Sequence, residues 1–484
     1  MELDPAHNET IQQFSILINS DSLYAQRSFD DIIPYSYDGL PLRYSYCISF
    51  LNYGRYAEQA LIANAICCVD PLNGHIVCSS RAYVLTKGWP CIAYEFNGVE
   101  RFFLFTSNFN QFKIGIWFPR FSSYLIGCVE PGWATIGCER VEELRAQMSR
   151  AEAWPAAQVS ITGLIRTGVL YLGFGNNVGH YMWNDLSGLE AVIEAGSDRH
   201  VDTIVIGPHE YVPIDELFPE LAHSGVKIQR WETSSASCVV HNGTLPLRIT
   251  GNRISYKLRK RIVAWALESC GEGLVGVARY NDLALNLWVN LRLHNKVWIE
   301  QVNGIVAIAT TMRSFLPVDR PLRLILDGTP DTHTLVNTIA DRLDGSVEVI
   351  NATCVTLAQT VALASLIDLH VSVVGAGLTL PHWLMGRRGV AHSDKGHLGQ
   401  QAFWNNISEG THDVVFIKED KVEDIAGNRD DYRNYQVSTS DIIDALAVLF
   451  RQQDYVQRIS AVDQMIFLSM QRKWLQAAER VISI

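Results

Sequence analysis

Short apolar runs alternate with amphipathic segments through most of the chain after residue 166. This alternation is typical of βαβ units, in which helices cover a mostly parallel sheet. A first group of strands is predicted at TGVLYLGF, DTIVIG, VKIQRW and CVVHNG. A second group is predicted at LNLWVNLR, LRLILDG, VEVIN, LHVSVVG, GVAHS and DVVFIK. The pattern predicts an α/β protein with two facing Rossmann-like lobes and a ligand cleft at the carboxyl ends of both sheets.

The two ends of the chain have different patterns. Residues 1–160 are rich in cysteine and aromatic residues and contain alternating stretches such as CIAYEF, ERFFLF and FKIGIWF, which predict a β-containing accessory region. After residue 440, apolar spacing of three and four predicts C-terminal helices that pack back on a lobe. We therefore expect an accessory region at 1–160, a first lobe at 161–272, a second lobe at 273–445 and C-terminal helices at 446–484.

Composition narrows the class of protein. The 484 residues include 48% hydrophobic and 19% charged residues, which is typical of a globular chain. A net charge of −11 argues against a general nucleic-acid binder, because such proteins neutralise phosphates with basic side chains. The acidic N-terminus and the lack of an apolar run of roughly 20 residues predict a cytoplasmic protein. The ten cysteines contain no CxxC pair, so reduced thiols are favoured over a zinc site.

The first candidate site is the loop GFGNNVGH, between a predicted strand and helix. Its small and polar residues would let a ligand approach the backbone near a helix start. There, His180 is a candidate general base, and Asp185 would orient it or replace it. The alternative is a tight turn in which His180 only caps or packs. The loop residues are Gly173, Gly175, Asn176, Asn177 and Gly179.

The second candidate site combines two loops of the second lobe. LRLHNK delivers Arg292 and Lys296 to a strand end, where two cations suit a departing diphosphate. The alternative is a solvated loop with an incidental charge pair. VVGAGLTLPHWLMG places a small-residue turn before a helix, where backbone N–H groups would bind an anionic oxygen. Its candidate residues are Gly375, Ala376, Gly377, Leu378 and Thr379.

Further polar residues follow other strands. Asp327 in ILDGTPD ends a strand, and either contacts the ligand or serves the turn alone. The segment HSDKGH offers sugar or base contacts through His392, Ser393 and Lys395. No D-x-D triplet occurs, so we expect neither a metal site nor any other cofactor. Six Lys or Arg residues between Arg248 and Arg261 form either a solvated helix face or a contact with anionic lipid at the inner face of the membrane.

The two-lobed plan, the histidine loop, the Arg/Lys loop and the GAG turn together resemble the GT-B glycosyltransferases over about 166–450. The resemblance implies that the second lobe binds a nucleotide-sugar, with Arg292 and Lys296 on the diphosphate and the Gly375–Thr379 turn facing phosphate. Only three residues separate the Arg from the Lys, whereas four is the commoner spacing. The resemblance further implies that His180 faces the acceptor as the base of an inverting reaction.

These observations predict a metal-independent glycosyltransferase that moves a sugar from a nucleotide-sugar to a glycan, a lipid-linked or a protein acceptor, as in polysaccharide biosynthesis. Two alternatives remain open. A sugar-nucleotide epimerase would use the same two-lobed architecture and similar diphosphate contacts. A non-catalytic binding or scaffold protein would use residues 1–160 as its working surface. The sugar, the base and the linkage cannot be chosen from these motifs.

Overall fold

The computed structural model describes two compact units of the chain. The first unit comprises residues 1–271 with 406–410, and the second comprises 272–405 with 411–484. Described continuous stretches are 168–231, 238–242, 244–251, 253–270, 284–410, 414–429 and 432–451. Shorter described stretches are 36–37, 40–41, 60–61, 66–70, 76–85, 91–106, 115–119, 123–126, part of 140–148, and 157–160.

The strands of the first unit form two larger sheets and a small ribbon. Their bounds in chain order are β1 Ser36–Tyr37, β2 Leu40–Pro41, β3 Cys67–Val69, β4 Ile76–Leu85, β5 Cys91–Asn97, β6 Arg101–Thr106, β7 Gly115–Phe118, β8 Ser123–Ile126, β9 Ala157–Ser160, β10 Gly168–Leu172, β11 Val201–Ile206, β12 Lys227–Arg230, β13 Cys238–Asn242 and β14 Leu245–Leu247.

The larger sheet has the order β8-β7-β6-β5-β4-β13-β9, with β3 also pairing with β4. It confirms strands at CIAYEF, ERFFLF and FKIGIWF. Leu144 packs on it with Tyr83 and Phe103. The assignment of CVVHNG to the first lobe was wrong, because β13 pairs here with β4 and β9. An apolar run indicates a strand but does not identify its sheet.

The smaller sheet is parallel, with the order β12-β11-β10-β14. In sequence terms this is 3-2-1-4, so the strand order reverses between β10 and β14, where open α/β sheets bind ligands. The short strand β14 carries Pro246 and was not predicted, since proline within a run argues against a strand. Each loop that follows β10 or β14 therefore begins at a topological switch point.

The helices of the first unit follow the predicted crossovers with two differences. The predicted helix after the glycine-rich loop comprises α1 (Val178–His180), a π-helical turn at Tyr181–Leu186 and α2 (Ser187–Glu194). Gly196 follows it in the left-handed region at φ 65°, as predicted for a C-terminal cap. The predicted helix at 214–222 is two helices, α3 Ile214–Leu217 and α4 Glu220–Ser224, separated at Pro219. The basic helix α5 spans Tyr256–Ser269.

The second unit confirms all six predicted strands. They are β15 Leu285–Asn290, β16 Leu322–Asp327, β17 Glu348–Asn351, β18 Leu369–Val373, β19 Arg388–His392 and β20 Val415–Phe416. Their parallel order is β17-β16-β15-β18-β19-β20, which is 3-2-1-4-5-6 in sequence terms. This is the Rossmann order, and its switch point lies between β15 and β18. A hairpin follows, with β21 at Val422–Arg429 and β22 at Tyr432–Val437.

The helices of the second unit are α6 Gln301–Phe315, α7 His333–Leu343, α8 Leu357–Ala364, α9 Lys395–Leu398, α10 Gln401–Asn405 and α11 Thr439–Arg451. The helix predicted from residue 376 is instead a 3₁₀ turn, Ala376–Leu378, followed by a π-helical turn, Thr379–Leu384. Pro381 has no N–H to donate, which disfavours a regular α-helix here. Of the predicted C-terminal helices, α11 is described and the remainder lies outside the described residues.

Both units thus contain a parallel α/β sheet, which confirms the prediction of two Rossmann-like lobes. Within the residues that the structure describes, none of the helices combines the length and apolarity needed to span a bilayer.

Candidate active site

The glycine-rich loop follows β10 at the switch point of the first unit. Gly173 has φ 69°, and a Cβ there would lie 3.2 Å from Ile206 Cγ2, so glycine suits both the backbone conformation and the packing. Asn177 caps α1, because its Oδ1 accepts the N–H of His180 at 3.1 Å. Gly175 and Gly179 are buried, and Asn176 is exposed. The loop therefore presents Asn176 and the half-buried His180.

The hydrogen bonds of Asn184 determine which ring nitrogen of His180 carries the proton. Asn184 Nδ2 donates to the carbonyl of Gly251 at 3.0 Å, which turns its Oδ1 toward His180 Nδ1 at 2.9 Å. An amide oxygen only accepts, so Nδ1 is the protonated nitrogen and Nε2 holds the lone pair. Burial lowers the pKa of His180, which favours the neutral ring. This tautomer suits a general base.

Asp185 lies in a different set of contacts from His180. Its Oδ2 accepts the N–H of Gly173 at 2.9 Å, and its Oδ1 is 3.3 Å from Arg248 Nη2. Burial raises the pKa of Asp185 while Arg248 opposes that rise. The pair connects the loop after β10 with the residue after β14, across the switch point. This placement favours a structural role for Asp185 over the predicted role as an alternative base.

Arg292 and Lys296 lie in the loop after β15, on the corresponding edge of the second unit. Arg292 Nε donates to Asn290 Oδ1 at 3.1 Å, and its backbone N–H donates to Gln301 Oε1 at 3.2 Å. Lys296 Nζ donates to the carbonyl of Val374 at 2.6 Å, which connects this loop to the end of β18. Lys296 is only 5% exposed and has φ 50°, in the left-handed region that side chains rarely adopt.

Electrostatics at Lys296 differ from those of a surface lysine. Burial first, and then the positive charge of Arg292, lower the pKa of Lys296 to about 7, although Asp394 opposes the shift. The amine therefore changes charge near neutral pH. A diphosphate placed beside it would stabilise the ammonium form. The predicted solvated-loop alternative does not describe a lysine buried in this way.

The GAG turn lies against both cations. Gly375 has φ 100°, and a Cβ there would lie 2.9 Å from Lys296 Nζ. A Cβ on Gly377 would lie 2.7 Å from Asn290 Oδ1 and 3.6 Å from Arg292 Nη2. Only residues without a side chain allow this approach. The structure thus brings together the two predicted elements of the diphosphate site.

The amide assignments of this turn need one correction. The N–H of Leu378 donates to the carbonyl of Gly375 at 2.9 Å, so it is engaged within the turn. Ala376 and Gly377 are the first two residues of the 3₁₀ turn, so the turn has no carbonyl that could accept from their N–H groups. Thr379 Oγ1 is buried and has no hydrogen-bond partner among the described residues. Two amides and one hydroxyl therefore remain suited to an anionic ligand.

Asp327 ends β16 and supports this site from the neighbouring strand. Its Oδ2 accepts Asn290 Nδ2 at 2.9 Å, which orients the Asn290 oxygen toward Arg292. Burial raises the pKa of Asp327 to about 6. These contacts favour a role for Asp327 in positioning Arg292 through Asn290 over the predicted direct ligand contact.

The HSDKGH segment contributes less than expected. His392 is buried, with Nδ1 2.7 Å from the Tyr435 hydroxyl, and burial lowers its pKa to about 3. This placement favours a packing role for His392. Ser393 is fully buried, and its Oγ has no hydrogen-bond partner among the described residues. The Lys395 side chain is exposed, and its backbone N–H donates to Asp424.

Three of the six basic side chains between Arg248 and Arg261 form ion pairs with carboxylates of the protein. Arg248 pairs with Asp185, and Arg259 is buried and donates to the Glu409 carbonyl at 2.7 Å. On α5, Lys257 pairs with Glu194 at 2.9 Å, and Arg261 pairs with Glu220. These contacts favour the structural interpretation of Arg248–Arg261 over the predicted lipid contact.

Two residues with clear geometric roles were missing from the sequence prediction. Asn184 lies four positions after His180, a spacing that places two side chains together on a helix and could have indicated the pair. Asn290 is the last residue of β15, directly before the Arg/Lys loop. In the part of the chain that the structure describes, no group of three or more His, Cys, Asp or Glu is arranged to hold a metal.

Comparisons with known proteins give similarity of structure only. No protein-family model matches the chain, and no curated protein matches it. The crystal structure of a glycosyl transferase family 9 protein from Veillonella parvula aligns with 60% of this chain and 100% of its own, at 12% identity and TM-score 0.38. ADP-heptose LPS heptosyltransferase II from E. coli aligns with 59% and 99%, at 12% identity and TM-score 0.31.

A third structure, of an alpha,alpha-trehalose-phosphate synthase (UDP-forming) from Burkholderia vietnamiensis, aligns with 72% of this chain and 80% of its own, at 12% identity and TM-score 0.26. At these TM-scores the similarities carry no argument about function, so the function is inferred from the residues of the two sites.

Proposed function

We propose that this chain is a glycosyltransferase that transfers a sugar from a nucleotide-sugar with inversion at the anomeric carbon. The observation that carries the proposal is the convergence of Arg292, Lys296 and the Gly375–Gly377 turn at the switch point of a Rossmann-ordered sheet. This is the position at which open α/β sheets bind nucleotides. Two cations and two glycines at that position suit a diphosphate.

In the proposed reaction the second unit stabilises the leaving group. As the bond between the anomeric carbon and the diphosphate oxygen breaks, negative charge develops on the diphosphate. Arg292 and Lys296 neutralise that charge, and the amides of Ala376 and Gly377 donate to its oxygens. Asn290 holds the Arg292 guanidinium, so the arrangement is formed before the ligand arrives. Positive side chains supply this stabilisation, and we propose that the reaction needs no metal ion.

The first unit supplies the base. His180 Nε2 accepts the proton of the acceptor hydroxyl while that oxygen attacks the anomeric carbon from the face opposite the leaving group. The proton passes to His180, and the electron pair of the broken bond leaves on the diphosphate. Asn184 keeps the imidazole in the required tautomer through Nδ1. The lowered pKa of His180 keeps the ring unprotonated before the reaction.

Thermal shift with a panel of nucleoside diphosphates, followed by transfer assays with the matching nucleotide-sugars, tests the proposal. A ligand that binds the folded state raises the apparent melting temperature in proportion to RT ln(1 + [L]/Kd). We expect at least one nucleoside diphosphate to stabilise the chain. In the transfer assay, the same diphosphate should be released from its nucleotide-sugar when acceptor is present. Formation of an epimer of the donor without release of the nucleotide would instead identify an epimerase. No stabilisation by any nucleotide would contradict the proposal.

A further inference from the structure

The carboxyl edge of the first unit's parallel sheet is lined with aromatic side chains. Phe174 follows β10, His209 and Tyr211 follow β11, and Trp231 follows β12. Phe174 is buried, whereas His209, Tyr211 and Trp231 are half-buried and retain accessible surface. We name these four residues the aromatic edge. Their position after three successive strands of the sheet distinguishes them from residues that only fill its core.

One half of the aromatic edge is attached to the loop that ends at His180. The Tyr211 hydroxyl donates to Asn176 Oδ1 at 3.1 Å, and its ring contacts the buried ring of Tyr181 at 5.6 Å between centroids. The backbone N–H of His209 donates to the Gly173 carbonyl at 2.8 Å. The rings of His209 and Tyr211 are nearly parallel, with 19° between their planes. These contacts fix Tyr211 relative to the loop.

The other half is fixed by edge-to-face contacts. The centroid of Trp231 lies 6.2 Å from that of Phe174 and 6.1 Å from that of Tyr171, with interplanar angles of 84° and 81°. The Trp231 backbone N–H donates to the Ile206 carbonyl at 2.8 Å. Aromatic side chains held in this way lose little conformational entropy when a ligand binds them.

Planar charged side chains are neighbours of these aromatic residues in the chain. Arg230 Nη2 donates to Glu210 Oε1 at 2.9 Å and to Asp215 Oδ1 at 2.7 Å. Glu210 lies between His209 and Tyr211 in the chain, and Arg230 directly precedes Trp231. Carboxylates and a guanidinium can bind neighbouring hydroxyl groups with two hydrogen bonds. The edge therefore combines flat apolar faces with bidentate polar groups.

This combination matches a saccharide. A pyranose has C–H groups on its faces, which pack on the electron-rich face of an aromatic ring, and hydroxyl groups at its rim. An acyl chain would pack on the rings, but it has no hydroxyl groups to hydrogen-bond the charged Glu210–Arg230–Asp215 network. We propose that the aromatic edge is a saccharide-binding subsite and that a carbohydrate is the acceptor. The second part of this inference rests on the proposed transferase function.

Saturation-transfer NMR on the full chain tests the subsite, with maltotriose, cellotriose and chitotriose as separate probes. We expect at least one trisaccharide to bind. Trp231→Leu and Tyr211→Leu should each weaken that binding by about tenfold or more, because each removes a stacking ring. Tyr211→Phe keeps the ring and should bind within about threefold of the natural chain. Tyr256→Leu, which removes an exposed aromatic of the same unit, serves as the matched control and should bind normally.

Melting curves of every variant establish that it is folded, and nucleoside-diphosphate binding is measured in parallel. Trisaccharide binding that Trp231→Leu and Tyr211→Leu leave unchanged would overturn the inference. Binding of a serine-rich decapeptide when none of the three trisaccharides binds would also overturn the inference. If the chain binds a trisaccharide but no nucleoside diphosphate, the result contradicts the proposed function and leaves the saccharide subsite supported. The two failures can therefore be distinguished.

Discussion

The two parallel sheets of this chain place polar groups at equivalent positions but with opposite electrostatic character. In the first unit, the Asp185–Arg248 pair spans the switch point between β10 and β14. In the second, Lys296 spans the switch point between β15 and β18 through its bond to Val374. In each case, one side chain joins the two loops that open a ligand site. The same arrangement of strands therefore carries different polar contacts in the two units.

The difference lies in the groups that contact the positive side chains. Arg248 is paired with a carboxylate, and the nearby titratable group, His180, is disposed to stay neutral. In the second unit, Arg292 is held by the uncharged Asn290, and Lys296 is bonded to a carbonyl. An anion beside Lys296 would stabilise its ammonium form, whose pKa burial has lowered to about 7. The proposed reaction asks the first unit to accept a proton and the second to neutralise a leaving group, and these contacts agree with that division.

Replacing His180 with alanine should have the largest effect and should act on turnover. We expect kcat to fall by about 10² to 10⁴-fold, the range for loss of a general base, while nucleoside-diphosphate affinity stays near that of the natural chain. His223→Ala removes an exposed histidine from the same unit and should retain normal turnover. Steady-state kinetics and calorimetry provide the two readouts. Normal turnover in a folded His180→Ala protein would show that the histidine only packs or caps.

Replacing Arg292 with alanine should lower the affinity for nucleoside diphosphate. Loss of a charge-assisted contact should weaken nucleoside-diphosphate binding by about 1.5 to 3 kcal/mol, or roughly 10 to 150-fold. Arg342→Ala, at an exposed arginine that contacts Asn303, is the matched control and should bind normally. Calorimetric titration measures both. Equal affinity in Arg292→Ala and the natural chain would return Arg292 to the solvated-loop interpretation.

Sequence patterns predicted the second unit better than the first. All six strands of its parallel sheet were predicted, because each is a short apolar run separated from the next by a helix, whereas the hairpin of β21 and β22 was not predicted. The residues of its diphosphate site follow directly from strand ends, which meet at one edge of a parallel sheet. In the first unit, β14 has only three residues and contains Pro246, and β13 belongs to another sheet. Sheet membership depends on pairing partners far away in the chain, and periodicity does not encode them.

Individual side-chain roles were the least predictable part. The sequence predicted that His180 and Lys296 follow strand ends, and they do, but their protonation depends on burial and on partners such as Asn184 and Val374. His392 has the same residue type as His180 and also follows a strand, yet it is buried against Tyr435. Spacing along the chain does not distinguish these environments.

The pKa of Lys296 predicts that the affinity of the second unit for a diphosphate depends on pH. Below about pH 7 the amine is protonated in the free protein, and above it the amine is neutral. Because a diphosphate binds the ammonium form more strongly, its affinity should be highest below about pH 7 and fall by up to about tenfold per unit above it. The fall should stop at the higher pKa that Lys296 acquires in the complex.

Calorimetry between about pH 7.5 and 9 measures this effect, since phosphate groups with a second pKa of about 6 are already fully ionised there. Lys296→Met should bind more weakly and show no such pH dependence. Affinity in the natural chain that stays constant over this range would contradict a proton-linked role for Lys296.

The smallest expected effect is that of a chelator. Because Arg292 and Lys296 would already neutralise the departing diphosphate, EDTA should change turnover by no more than about twofold. Two carboxylates close to this site have other partners: Asp327 accepts from Asn290, and Asp394 contacts His397. EDTA is itself a polyanion and could compete at the two cations. Magnesium-saturated EDTA at the same concentration is therefore the control. If EDTA abolishes turnover and added Mg²⁺ restores it, a metal ion shares the charge of the leaving group. The two cations of the second unit would then not be sufficient to neutralise the departing diphosphate.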